Sequence, residues 1–279
     1  MACSASCSPE KFVVHSLGSL VCRAMNIVFP LISGQELLVA ALIAVLAGFV
    51  KGVVGFAMPL VFISGLTTFL SPELALAGLI LPTLATNAQQ ALRHGVPAAV
   101  RSVVDFRVFL IVGGVALMAC AQLVRVFPDQ IMMAVIGVPV TFFAVLQIAG
   151  YQIRLPANSR VAEVVAGSVA GGLGGLTGIW GAPTVAYLTA LNTPKEDQMR
   201  VQGVIYGLGA LGLLGAHIGS GVLRAETIGF SLAMVPTAFV GMWTGMAVMD
   251  RIDQTAFRRA TLFVLLIAGL NLVRRAWLG

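Results

Sequence analysis

AGFVKGVVGFAMP, residues 47–59, decides how this chain folds. It lies inside an apolar run from about Leu37 to Leu66, and a straight helix of that length overshoots the ~30 Å hydrocarbon core of a bilayer. Three glycines (Gly48, Gly52, Gly55), Pro59 and one lysine, Lys51, interrupt the run near its centre. Glycine lets a backbone leave helical geometry, and proline removes a hydrogen-bond donor. Irregular backbone at membrane depth is tolerated only inside protein or beside a water-filled cavity. A lysine at that depth marks a functional site by default. The competing reading is a lysine that snorkels to the headgroups, although Lys51 stands about fourteen residues from either end of the run.

A second copy follows at 170–183, AGGLGGLTGIWGAP. Gly48, Gly52 and Gly55 stand 123 residues before Gly171, Gly175 and Gly178, and Pro59 stands 124 before Pro183. The offset persists, since Gly95 matches Gly219 and Asp129-Gln130 matches Asp253-Gln254 at 124. The pattern predicts a duplicated all-α membrane protein. Paired Gly/Pro-interrupted segments in corresponding halves point to a transporter's binding site.

Composition agrees. The 279 residues are 58% hydrophobic and 10% charged, with a mean hydropathy of +0.97, whereas a soluble domain carries about a quarter charged residues. The net charge of +6 reads as membrane-flanking arginine, and no basic run alternates with aromatics as nucleic-acid binding would require. Cys3, Cys7, Cys22 and Cys120 show no metal-ligand or disulfide spacing. No cofactor motif is present.

The organisation expected is an N-terminal extension at 1–34, with residues 1–24 a candidate mis-assigned start. A first membrane repeat follows at 35–150, a cytoplasmic linker at 151–160 and a second repeat at 161–279. Each repeat would hold four segments, about eight in all, and open with a broken one, 37–66 and 162–190. In the first repeat, helices are expected from Ser71-Pro72-Glu73 to about Leu92, then at 106–124 and 130–150, with a basic loop at 93–107. In the second they are expected at 198–217, 226–248 and 256–276. Thr83, Asn87 and Gln90 share one face of the second helix, either as interhelical hydrogen-bonding groups or as substrate contacts. Gln198, Gln202 and Tyr206 form a similar stripe. If the broken segments cross fully, the positive-inside rule puts ten Lys/Arg and both termini inside, against six outside. If they are re-entrant hairpins the count is again ten against six, with the termini outside. In both cases the loops at 93–107 and 151–160 are cytoplasmic.

With Lys51-Gly52 in GFVKGVVGFAMP, and Thr177-Gly178 and Trp180-Gly181 in GGLGGLTGIWGAP followed by TVAYLTAL, the chain resembles the sulfite exporter TauE/SafE family, also called toluene sulfonate uptake permeases. The resemblance spans about Leu37 to Trp277. It implies a multi-pass carrier of small anions in the bacterial inner membrane, acting on sulfur oxyanions or organosulfonates such as sulfite or sulfoacetate.

The residues fit such a cargo. No carboxylate lies deep in a span, so the expected site is Lys51, Gly52, Gly55, Asn87, Gln90, Thr177, Gly178, Trp180, Gln202 and Tyr206. Gly48, Pro59, Gly171, Gly175 and Pro183 would shape the breaks, and half-helix N-termini would aim N–H groups at the anion. Trp180 and Tyr187 read equally as packing aromatics, and His217 as interfacial. The alternatives are an accessory subunit of another transporter, or an intramembrane enzyme. The enzyme would need Ser64, Ser168 or Ser231 paired with a histidine that the sequence does not place. The partners expected are the lipid bilayer and a small anion; the oligomeric state is open, a homo-oligomer included.

Overall fold

The computed structural model describes residues 32–121, 129–151, 154–156, 159–177, 180–219 and 222–278. Most of the expected N-terminal extension and the site candidate Gly178 lie outside these residues. Eleven helices and no strand are found among the described residues. In chain order they are α1 (Gly34–Val54), α2 (Met58–Leu66), α3 (Pro72–Leu92), α4 (Val96–Asp105), α5 (Arg107–Ala121) and α6 (Asp129–Ile148), then α7 (Arg160–Thr177), α8 (Gly181–Ala190), α9 (Lys195–Gly219), α10 (Ala225–Arg251) and α11 (Gln254–Leu278).

Local chemistry sets several of these limits. Ser33 caps α1 in a capping box: its Oγ accepts from the Glu36 N–H at 3.3 Å, while its own N–H donates to Glu36 Oε2 at 2.8 Å. Ser71 Oγ caps α3 by accepting from the Leu74 N–H, with Pro72 in the first turn. Pro82 sits inside α3 and cannot serve the carbonyl of Gly78. Ser231 of α10 fills the gap: its Oγ donates to Gly78 O at 3.5 Å and accepts from the Leu81 N–H at 3.1 Å. That serine, a candidate nucleophile on sequence grounds, repairs a kinked helix.

Close glycine contacts give the helix directions. Gly48 lies against Ala238, Gly52 against Met242, Gly245 and Met246, and Gly241 against Val45 and Phe49. Residue numbers rise together, so α1 runs parallel to α10. Along α3, Gly78 meets Phe230 and Arg93 pairs with Asp250, so α3 is also parallel to α10. Helices α1 and α3 therefore start at the same end of the bundle. Between them α2 returns antiparallel to α1, bringing Gly65 against Ile43. Residues 34–71 form a hairpin that enters and leaves at one end.

The second broken segment is placed in the same way. Gly167 packs on Phe109 and Gly171 on Gly113, so α7 runs parallel to α5. The Leu155 N–H donates to Ala190 O at 2.9 Å, which puts the approach to α7 beside the exit from α8. This hairpin opens at the opposite end from the first. Helix α9 lies antiparallel to α3, with Gly207 near Asn87 and Gly203 against Gln90 and Ala91. Helix α11 lies antiparallel to α6, with Gly137 against Leu272 and Gly269 against Thr141.

Small residues face in and large ones face out. On α1, Ala40, Ala44 and Ala47 are fully buried, whereas Leu38, Leu42 and Leu46 are more than half exposed. That inversion of a soluble core is how helices pack closely in lipid. Gly34–Val54, Ala225–Arg251 and Gln254–Trp277 are each long and apolar enough to cross a membrane. The basic loop expected at 93–107 is corrected by the structure: it holds α4, bent 70° from α5. Pro97 starts this helix. Exposed Val96, Val100, Val103 and Val104 recur at helical spacing, a pattern masked by three nearby arginines.

Candidate functional site

Helix α1 ends at Gly55, whose φ of 85° is left-handed. Ala57, the cap of α2, is left-handed as well at φ 70°. Two such residues within three positions reverse the chain, and an alanine held there stores strain of about 1–3 kcal/mol. The strain is held by hydrogen bonds to the turn. Gln90 Nε2 of α3 donates to Gly55 O at 3.1 Å and to Met199 O at 2.7 Å. With its amide oriented to suit its neighbours, Gln202 Nε2 of α9 donates to Gly55 O at 3.0 Å and Val54 O at 3.2 Å, and its Oε1 accepts from Gln198 Nε2. Any Cβ at position 55 would collide with Gln202. The two glutamines thus fasten the tip of the first hairpin to both α3 and α9.

Lys51 lies one turn before this tip and is only 2% exposed. Its ammonium donates to Thr86 Oγ1 at 3.0 Å and to Asn87 Oδ1. The Thr86 hydroxyl in turn donates to Pro82 O at 2.6 Å. Both acceptors are neutral. Asn87 Nδ2 and Thr83 Oγ1 are buried and have no hydrogen-bond partner among the described residues.

These groups border a cavity of about 430 Å³. Its walls include Lys51, Thr83 and Asn87, the first tip (Phe56 to Leu60), the second tip (Trp180, Gly181, Ala182) and Tyr206. The starts of α2 and α8 both border it, so two half-helix N-termini converge on one space. No Asp or Glu is among its lining residues. The Tyr206 hydroxyl donates to Gly181 O at 3.0 Å and braces the second tip. A Cβ at Gly209 would overlap the Trp180 ring, and one at Gly174 would crowd its Cβ.

The structure therefore brings Lys51, Asn87, Trp180 and Tyr206 to the cavity wall. Gln90 and Gln202 sit behind it, on the hairpin backbone. Gly48, Gly52 and Gly171 lie within helices as close-packing positions. Gly175 and Thr177 close the last turns of α7, and Pro59 and Pro183 lie in the first turns of α2 and α8. Sequence reasoning missed Arg275 and Ser64 as lining residues, while Thr83, offered with Asn87 either as a hydrogen-bonding group or as a substrate contact, does line the cavity. The i, i+4, i+7 series Ala268, Leu272 and Arg275 on α11 was the available signal for Arg275.

A helical bundle packed for lipid, with two hairpin tips meeting around a cavity bordered by a buried lysine, has the build of a membrane carrier. The chain matches the family model described as Sulfite exporter TauE/SafE over residues 40–272, nearly its whole length, and belongs to that family. It is a multi-pass membrane protein of a transporter family. No curated protein and no solved structure matches it.

Proposed function

We propose that the protein is a secondary transporter of small anions in the bacterial inner membrane, carrying sulfur oxyanions or organosulfonates such as sulfite or sulfoacetate. The observation that carries this reading is Lys51: a buried lysine with neutral partners, bordering a cavity with no Asp or Glu among its described lining residues, onto which two helix N-termini open. A bound anion would supply the missing counter-charge, and Asn87 Nδ2 an unused donor. Gly55, Gln90 and Gln202 would act through the shape of the first tip and Gly52 through the close approach of α10, with Thr177 and Gly178 the remaining candidates.

The packing supports two inverted repeats, each of one re-entrant hairpin and three crossing helices. Helix α1 lies on α10 as α7 lies on α5, and α3 meets α9 as α6 meets α11. Among the described residues, ten Lys/Arg then flank the end of the bundle that carries α4 and the 151–160 linker, against three (Arg224, Arg274 and Arg275) at the other, which makes the former cytoplasmic. The cavity faces the outer end, since its lining follows α3 from Asn87 back to Leu76 and α11 forward to Arg275.

Two measurements test these points. Purified protein should be stabilised by its true cargo in proportion to occupancy. A melting screen against sulfite, thiosulfate, sulfoacetate, taurine, carboxylates and phosphate should pick out a sulfur anion, and the protein alone in liposomes should carry it. Stabilisation by carboxylates with no response to any sulfur anion would reject the substrate class. For topology, Tyr151→Cys and Gln35→Cys, in a background without native cysteines, should label from the cytoplasm and from outside respectively. Cytoplasmic labelling at position 35 would contradict the re-entrant reading.

A further inference from the structure

The cavity has a second cation in its lining, far from the first. Arg275 lies in the last turn of α11 and is exposed. Ala268, Leu272 and Arg275 present one face of that helix to the cavity. Across from them run Leu76, Leu79, Ile80, Thr83 and Asn87 of α3. The twelve residues from Leu76 to Asn87 cover about 16 Å of helix. The space is therefore a conduit, with Lys51 at its deep end and Arg275 at its mouth. Leucine, isoleucine and alanine form most of the wall between them. Arg275 makes no ion pair among the described residues. Its neighbour Arg274 is outside the lining and bonds to Asn271.

We propose that Arg275 is a capture site for the transported oxyanion, occupied before the anion reaches Lys51. This rests on the anion-carrier reading above. A guanidinium presents a planar fork that grips two oxygens of a sulfur oxyanion at once. Charges on low-dielectric walls focus the field along a cleft and raise the local concentration of the opposite sign. Lys51 is buried beside Asn87 and Arg275 is exposed in the last turn of α11, so a small anion entering from the mouth meets the two cations in sequence. Arg275 governs arrival from the outer end, and Lys51 governs the resting affinity.

The test uses labelled sulfite and the full chain in right-side-out and inside-out membrane vesicles. At low ionic strength Arg275→Gln should raise the KM for sulfite offered on the outer side roughly ten-fold. It should leave the kcat of uptake from the outer side unchanged. The difference should shrink in high salt, Arg275→Lys should recover most of it, and Arg275→Glu should be worse than Gln. A parental KM on both sides in Arg275→Gln, with affinity lost in Lys51→Met, would overturn the capture site and leave the carrier reading standing. A parent chain that carries no sulfite, and no other sulfur anion from the melting screen, would overturn both.

Discussion

Gly52→Ala is expected to lower the melting temperature of the detergent-purified protein by roughly 6–12 °C, and Gly52→Val to leave little folded protein. The added Cβ would fall on the backbone carbonyl of Met242, with the Met246 amide and the Gly245 Cα close behind. A backbone atom has no rotamer with which to yield. Helices α1 and α10 would have to separate along their whole seam, where Gly48, Gly241 and Gly245 make the same kind of contact. Overpacking of this sort costs about 3 kcal/mol or more, against a total stability of about 5–15 kcal/mol. Each kcal/mol moves the midpoint by roughly 2–4 °C in a chain of this size. Gly114, Gly212 and Gly215 provide the control, because a Cβ at any of them meets nothing within 4 Å. Their alanine variants should stay within about 0.5 kcal/mol of the parent. If Gly52→Ala melts with those controls, the α1–α10 seam is not as close as described.

This contrast shows what could be read from the residues alone. The sequence read Gly48, Gly52 and Gly55 alike as interrupting the helix, with Gly52 and Gly55 counted among the site residues. The structure divides them: Gly48 and Gly52 let another helix approach, and only Gly55 turns the chain. Both uses require a missing Cβ, so the letters cannot tell them apart; the partner, α10, lies nearly two hundred residues away in sequence. Lys51 and Asn87 were legible because polar groups within apolar runs need a reason. The stripes containing Gln90 and Gln202 were legible for the same cause, yet their shared target, the Gly55 carbonyl, exists only once α3 and α9 are side by side. Arg275 read as one of several flanking arginines. Only the approach of α11 to both hairpins makes it part of a cavity wall.

Lys51→Met is expected to weaken anion binding ten- to hundred-fold, the largest loss of any single change at the cavity. Hydrogen bonds to charged groups contribute about 1.5–3 kcal/mol, which corresponds to that range of dissociation constants. Position 174, the counterpart of 51 at the 123-residue offset, is a glycine lying against Trp180, so the matching place in the other hairpin is built without a cation. Stability should respond much less than affinity, because two effects oppose each other. Removing an intramembrane charge relieves a cost. The same change strips the Asn87 oxygen of its ammonium donor, and an orphaned buried acceptor costs about 1–3 kcal/mol. Replacing both partners by apolar groups of similar shape should remove the second term. The double variant Lys51→Met/Asn87→Leu is therefore expected to melt at or above the single variant while binding no better. Lys51→Arg should restore part of the affinity: the charge returns, but a wide planar fork replaces a compact ammonium in a site that is 2% exposed. Calorimetric titration of the sulfur anion selected by the melting screen measures all four proteins on one scale. Parental affinity in a well-folded Lys51→Met would leave the lysine as a structural tether between α1 and α3, and the anion would have to be held by the helix N-termini and Arg275 alone.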